Sequence, residues 1–124
     1  MEETENQIHV ELPVKKEYAR LLRLIVSGVA SRMNFDLDGV DDLKIAVEEA
    51  YLMAMRGKVN SPLKTSFDMM ADRLQITFQG TTRSQAGTED QKENFGNFIL
   101  DAVVDEMEIN QSNTDFNVRM VKYL

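Results

Sequence analysis

The sequence predicts an α+β fold, a two-layer sandwich in which helices cover one face of a mostly antiparallel sheet. Segments with period-two alternation of apolar residues occur in consecutive pairs, which is typical of β-hairpins. Two longer segments have the apolar periodicity of helices. At 124 residues, 43% of them hydrophobic, the chain is long enough for one core, so a single domain over residues 1–124 is expected.

The composition excludes several kinds of protein. A net charge of −7 argues against binding to nucleic-acid phosphates and suits a basic protein partner instead. There are no cysteines, which excludes disulfides and thiol chemistry, and the single histidine, His9, is a weak basis for a catalytic triad. No apolar run approaches the ~18 residues of a membrane span, and MEETENQ at the start is unlike a signal peptide. We therefore expect a cytoplasmic protein.

The first strand and the first helix are predicted near the N-terminus. Apolar residues alternate over residues 8–12, which predicts a half-buried strand that ends at Pro13. Residues 16–33 then follow a helical period, and Asn34 is a suitable stop. The apolar stripe of this helix consists of Tyr18, Leu21, Leu22, Ile25, Val29 and Met33.

The second helix has clear boundaries in the sequence. Asp38 can cap its start, and Asp41 and Asp42 complement the positive end of the helix dipole. Arg56-Gly57 marks its end. At 100° per residue, the core face of this helix comprises Val40, Leu43, Val47, Ala50, Tyr51 and Ala54.

The second half of the chain predicts two hairpins separated by a loop and a helix. Residues 63–69 and 74–78 alternate and are joined by a turn at 71–73. Residues 80–94 contain no apolar side chain larger than alanine, and such a long loop is usually functional or mobile. The third helix is predicted from Phe95, Phe98, Ile99, Ala102 and Val103, and the final hairpin from Met107 and Ile109, a turn at 111–114, and Phe116, Val118 and Met120.

Glu49 is an unusual residue of the second helix, because it lies roughly opposite Val47 yet has apolar neighbours. Ile45, Leu52 and Met53 flank it, so this helix is apolar on two sides and should be covered on both. Glu49 is then either a solvated surface charge or a carboxylate in a partly dry pocket, suited to act as a general base. Met53 is most simply a packing residue.

Residues 17–50, EYARLLRLIVSGVASRMNFDLDGVDDLKIAVEEA, resemble the bacterial anti-sigma factors that are also serine kinases, within the GHKL group of ATPases. FGNFILDAVVDEMEI and VRMVKYL near the C-terminus resemble the last helix and strand pair of that family. The order of elements also matches, so the resemblance covers nearly the whole chain. It implies the histidine-kinase/HSP90-like ATPase fold and a role in transcription regulation.

The resemblance implies a Glu-x-x-x-Asn motif on the second helix, in which the glutamate is the base and the asparagine reaches Mg²⁺. Glu49 keeps the first position, and Met53 replaces the asparagine. The family also has an Asp-x-Gly-x-Gly motif whose aspartate reads the adenine amino group. Here Phe78 replaces the aspartate, Gly80 is kept and Thr82 replaces the second glycine.

A third family motif, Gly-x-Gly, lets phosphates approach the backbone at the start of the last helix. In this chain the motif has Asn94 at the first position and keeps only Gly96. Each lost charged hydrogen bond costs about 1.5–3 kcal/mol, which together would take a micromolar ATP site to millimolar or weaker. We therefore expect a degenerate nucleotide site and no cofactor, whereas a working site would take Mg-ATP.

Protein binding remains when the nucleotide is lost, because the family's first helix presents an arginine to a sigma factor and to its antagonist. The family's Ser-Phe-Ala-Arg corresponds here to residues 17–20. Arg20 and Leu24 lie on one side of the predicted helix with Ser27 and Ser31, which suits a contact surface. The plainer interpretation is a solvated arginine beside a stray leucine.

The leading hypothesis is an anti-sigma-factor-like regulator of a partner-switching pathway that holds a sigma factor or an antagonist protein. The alternative is an active serine/threonine-protein kinase with Glu49 as its base, and a third is a domain that shares only the fold. The resemblance also implies a homodimer formed near the edge of the sheet. Residues 80–94 correspond to the ATP lid of the family and are either a flexible connector or a partner-binding segment.

Overall fold

A computed structural model describes residues 6–60, 62–82, 99–112 and 114–124 of the protein. It confirms the predicted α+β sandwich, with one five-stranded antiparallel sheet and helices on one face. The elements are β1 (Gln7–Leu12), α1 (Tyr18–Ser31), α2 (Leu37–Arg56), β2 (Leu63–Met69), β3 (Arg73–Thr81), β4 (Glu106–Ser112) and β5 (Asp115–Tyr123). Residues 99–103 are helical as well. Within the described ranges, no helix is both long and apolar enough to span a membrane.

The sheet has the strand order β1-β2-β3-β5-β4, and its register separates an apolar face from a polar one. One row across all five strands points to the helices and consists of Val10, Thr65, Phe78, Val118 and Ile109. The adjacent row points away and consists of Glu11, Lys64, Gln79, Asn117 and Asn110. Because side chains alternate along a strand, the predicted apolar positions form the inner face throughout.

The first helix begins at Tyr18 and ends at Ser31, two residues inside the predicted limits at each end. Asn34, the predicted stop, lies three residues past the last residue of α1, where Arg32 is the C-cap. It has a φ of 68°, a left-handed conformation that asparagine tolerates. One member of the predicted core stripe is misplaced, because Leu21 keeps 40% of its surface exposed. Val26 and Ala30 are buried instead, which turns the core face of α1 toward α2.

The prediction that Asp38 caps the second helix is wrong. Asp36 is the N-cap residue, with an extended backbone and a side-chain Oδ1 that accepts a hydrogen bond from the Gly39 backbone N–H at 2.8 Å. Asp38 lies in the first helical turn, where its charge still complements the dipole. Asp42 lies beyond that turn and instead forms an ion pair of 3.3 Å with Lys122.

The first hairpin turn lies at 70–72, one residue earlier than predicted, and the second is shorter than predicted because β4 extends through Ser112. Arg73 is already the first residue of β3, which continues through Gly80 to Thr81. Gln111 and Ser112 belong to β4, and Ser112 pairs with Asp115 directly across the turn. Residues 80–82 of the predicted loop are therefore strand or bridge, and residues 83–94 lie outside the described part of the chain.

The third helix buries different residues from those predicted. Leu100 and Val104 are enclosed in the core, whereas Ala102 is exposed and Ile99 is half-buried. Phe95 and Phe98, which were also assigned to this helix, lie outside the described residues.

Tyr51 of α2 holds the connection between β1 and α1. Its ring is fully buried, and its hydroxyl oxygen accepts a hydrogen bond from the Lys15 backbone N–H at 2.8 Å. The hydroxyl group in turn donates toward the carbonyls of Pro13 and Lys15. Burial raises the pKa of Tyr51, so the neutral form that donates this hydrogen bond is favoured. This side chain fixes the start of α1 relative to α2.

We expect Tyr51→Phe to lower the free energy of unfolding by about 1–2 kcal/mol, because backbone groups of the β1–α1 connection lose their partner. Urea denaturation measures the change. Tyr123→Phe is the matched control, since it removes an exposed hydroxyl bonded to Glu106 and should leave the stability nearly unchanged. Equal losses for the two variants would contradict the anchoring role.

Candidate functional site

The second half of α2 brings together Glu49, Met53 and Arg56. Their spacings of four and three residues place all three on one side of the helix. Glu49 is only 8% exposed. Its Oε2 accepts a hydrogen bond from Arg56 Nη2 at 2.9 Å. The interpretation of Glu49 as a solvated surface charge is therefore wrong. It is a nearly dry carboxylate, neutralised by a guanidinium from its own helix.

Met53 occupies the position at which the family's asparagine would reach Mg²⁺, and it is part of the hydrophobic core. It is 4% exposed and packs with the buried residues of the sheet and helices. A thioether is a poor ligand for Mg²⁺, which takes oxygen ligands. In the described ranges, no three acidic or histidine side chains lie close enough together to hold a metal ion. The residues present do not fit a magnesium site.

Phe78 occupies the position of the adenine-reading aspartate. It lies in the middle of β3, on the inner face between Thr65 and Val118, and has no exposed surface. An aromatic ring enclosed in this way contributes to the core and offers a base no charged acceptor. The second departure from the family pattern is therefore also a residue absorbed by packing.

Gly80 is retained, and its surroundings give a packing reason. A Cβ atom at this position would lie 2.6 Å from Cγ1 of Val59, which is closer than real side chains approach. Val59 follows α2 and forms a bridge with Thr82, which is itself buried. The Thr82 backbone N–H donates to the Thr114 carbonyl at 2.8 Å. This glycine therefore lets the segment after α2 lie against the end of β3.

Three surface depressions in the described part of the chain lie away from this site. One of about 740 Å³ is lined on the polar face of the sheet by Lys64, Gln79 and Asn117, among others. Others lie beside the C-terminal end of α1 and at the start of α2. None of these three is lined by Glu49 or Phe78. Asn94 and Gly96, the remaining nucleotide-motif positions, lie outside the described residues.

The predicted partner-binding residues lie on the outer side of α1. Arg20 is exposed, and Leu24 keeps 65% of its surface accessible. Arg23, one turn away, faces α2 instead and pairs with Glu48 at 3.8 Å. Ser27 and Ser31 are less available, since their hydroxyls donate to backbone carbonyls of the same helix. The exposed part of Leu21 adds apolar area to this surface.

Two features of the site escaped the sequence reasoning. Arg56 was taken only as the end of α2, although its spacing of seven residues from Glu49 places the two charges on the same side of the helix. Leu21 was assigned to the core because it lies at the edge of the apolar stripe, next to Leu22. The spacing was a usable signal for Arg56, whereas the exposure of Leu21 depends on where α2 packs against α1.

We predict that Gly80→Ala destabilises the protein by about 1–3 kcal/mol, because its methyl group would overlap Val59. Gly28→Ala is the matched control. It lies on the exposed side of α1 with nothing within 4 Å of the new methyl, so it should stabilise by roughly 1 kcal/mol through helix propensity. Thermal unfolding measures both. If Gly80→Ala were as stable as wild type, packing would not explain the retained glycine.

Comparison with known proteins gives consistent relatives over almost the whole chain, although no protein-family model matches it. "Serine-protein kinase RsbW" of Bacillus velezensis is 33% identical, over 94% of this chain and 85% of that protein. The protein of the same name from Bacillus pumilus is also 33% identical, over 100% of this chain and 90% of that protein. The alignment with the latter spans 146 positions, more than the 124 residues present here, so that relative carries residues without a counterpart in this chain.

A solved structure, that of the RsbU and RsbW domains of Rv1364c from Mycobacterium tuberculosis, has the same fold. It superimposes with a TM-score of 0.75 at 15% identity, over 94% of this chain and 31% of that chain. Together with the full-length relatives, this confirms the predicted resemblance. The chain belongs to the family of the serine-protein kinase RsbW, the anti-sigma factor kinases of the GHKL group.

Proposed function

We propose that this protein is an anti-sigma-factor-like regulator of a partner-switching pathway that has lost ATP binding. It acts by holding a sigma factor or an antagonist protein rather than by phosphorylating one. The observation that carries the proposal is the ion pair between the buried Glu49 and Arg56, together with the burial of Met53 on the same side of the helix. A base that is already neutralised and a metal position without oxygen leave the phosphoryl-transfer chemistry without two of its parts.

The separate losses add up in free energy. Phe78 removes the charged acceptor for the adenine amino group, and Met53 removes a metal contact. A charged hydrogen bond is worth about 1.5–3 kcal/mol, and 1.4 kcal/mol is a factor of ten in affinity. The loss at Phe78 alone therefore weakens binding about tenfold or more, and the lost metal contact adds to that, before any cost of opening the core around Phe78.

Protein binding is supported by the outer side of α1. Arginine is enriched at binding surfaces, and the exposed Arg20 lies beside the exposed Leu24, which supplies apolar area. The partial exposure of Leu21 enlarges the apolar area next to them. We include in the proposal a homodimer formed near the edge of the sheet, which analytical ultracentrifugation would detect.

The second candidate function is an active serine kinase that phosphorylates an antagonist. Two observations favour it. The relatives are named serine-protein kinases, and Glu49 is retained at the position of the family's base. A general base must be free to accept a proton from the substrate hydroxyl. The contact of 2.9 Å with Arg56 opposes that role, and for this reason we favour the binding function.

We expect isothermal titration of the protein with Mg-ATP to show no saturable heat at millimolar nucleotide, because metal and adenine contacts are both missing. The Bacillus velezensis relative, titrated identically, is the positive control. Micromolar binding, together with phosphorylation of an antagonist protein, would establish the kinase function instead.

We predict that Arg20→Glu weakens binding to the cognate sigma factor or antagonist by about thirtyfold or more, as expected of a central arginine in an interface. The candidate partners are the proteins encoded beside this chain, and surface plasmon resonance measures the affinity. Arg32→Glu is the matched control, since it makes the same charge change at an exposed position past the end of α1. Equal effects of the two variants would exclude Arg20 as a specific contact.

A further inference from the structure

We propose that Arg56 is a permanent internal cation for Glu49, so that the site is closed to a divalent metal by a positive charge as well as by a missing ligand. This inference deepens the proposed loss of nucleotide binding and rests on it. It assigns to Arg56 a specific task, which is to exclude a metal ion from the one carboxylate that the site has kept.

The geometry of α2 makes the contact possible. Two residues seven apart on a helix are separated by about 10.5 Å along its axis and point in nearly the same direction. Long helical side chains lean toward the N-terminus of their helix, so the Arg56 side chain extends back over Met53 toward Glu49. Its Nη2 reaches Oε2 at 2.9 Å, the distance of a strong charge-assisted hydrogen bond.

Burial makes the contact necessary. A carboxylate that is taken out of water without a cation is costly, and Glu49 is almost completely enclosed. The neighbouring Glu48 illustrates the other extreme. Its side chain is about as exposed as that of its partner Arg23, and the two lie 3.8 Å apart. Of these two pairs, the Glu49 pair is the less exposed, so its cation should contribute more to stability.

The same contact excludes a metal. Mg²⁺ requires close oxygen ligands in a near-octahedral arrangement, and Oε2 of Glu49 already accepts a hydrogen bond from the Arg56 guanidinium. A second cation placed at that oxygen would be repelled by the first in a medium of low polarity. Restoring an oxygen ligand at position 53 is therefore insufficient while Arg56 remains.

The test compares Met53→Asn with the double variant Met53→Asn/Arg56→Ala in millimolar MgCl₂ and, separately, in Mg-ATP. Differential scanning fluorimetry gives the readout. We expect Met53→Asn alone to show no metal-dependent change in Tm, and the double variant to gain about 3 °C or more. A gain by Met53→Asn alone, or none by the double variant, would overturn the assignment.

A second measurement tests Arg56 without any metal. Arg56→Ala should lower Tm by roughly 5 °C or more because it leaves an enclosed carboxylate without its cation. Arg23→Ala, which removes the cation of Glu48, should change Tm by no more than roughly 2 °C. Equal shifts would show that Arg56 is an ordinary surface charge. Mg-ATP binding by the wild-type protein would contradict the proposed function, whereas a silent wild type and a silent double variant contradict only this inference.

Discussion

A carboxylate can stay in a nearly dry place only when a cation accompanies it, and the site of this protein is organised around that requirement. Glu49 is almost completely buried, and Arg56 of the same helix neutralises it. The pair needs nothing from outside the chain. The charge of this carboxylate is thus balanced by a residue of the protein itself.

Three other positions of the site, Met53, Phe78 and Gly80, contribute to packing. Phe78 and Met53 belong to the core, and Gly80 serves the approach of Val59. An apolar side chain is stabilised by leaving water, at roughly 25 cal/mol per Å² of surface buried. Where no ligand makes polar contacts, as we propose for this site, burial of apolar side chains stabilises the fold.

The sequence was most informative for the strands, where the period of the apolar residues determines which side chains face the core. Alternation with period two assigns every strand residue to one face, so the inner row through Phe78 was predictable in full. Helical stripes are broader, and the place of Leu21 depended on where α2 lies. The cap was ambiguous because Asp36 and Asp38 are equally suitable in sequence, and only the extended backbone of Asp36 decides between them. The seven-residue spacing places Arg56 on the same side of the helix as Glu49, but their contact depends on the path of the arginine side chain, which no pattern specifies.

The burial of Phe78 and Met53 also bears on the evolutionary history of the chain. Returning Phe78 to aspartate would place a charge in the core, and returning Met53 to asparagine would place an amide beside a guanidinium in a dry space. Each single step backward lowers stability before any ligand rewards it. For the regulator that we propose, a nucleotide site would therefore require several substitutions at once, because each of them alone is unfavourable.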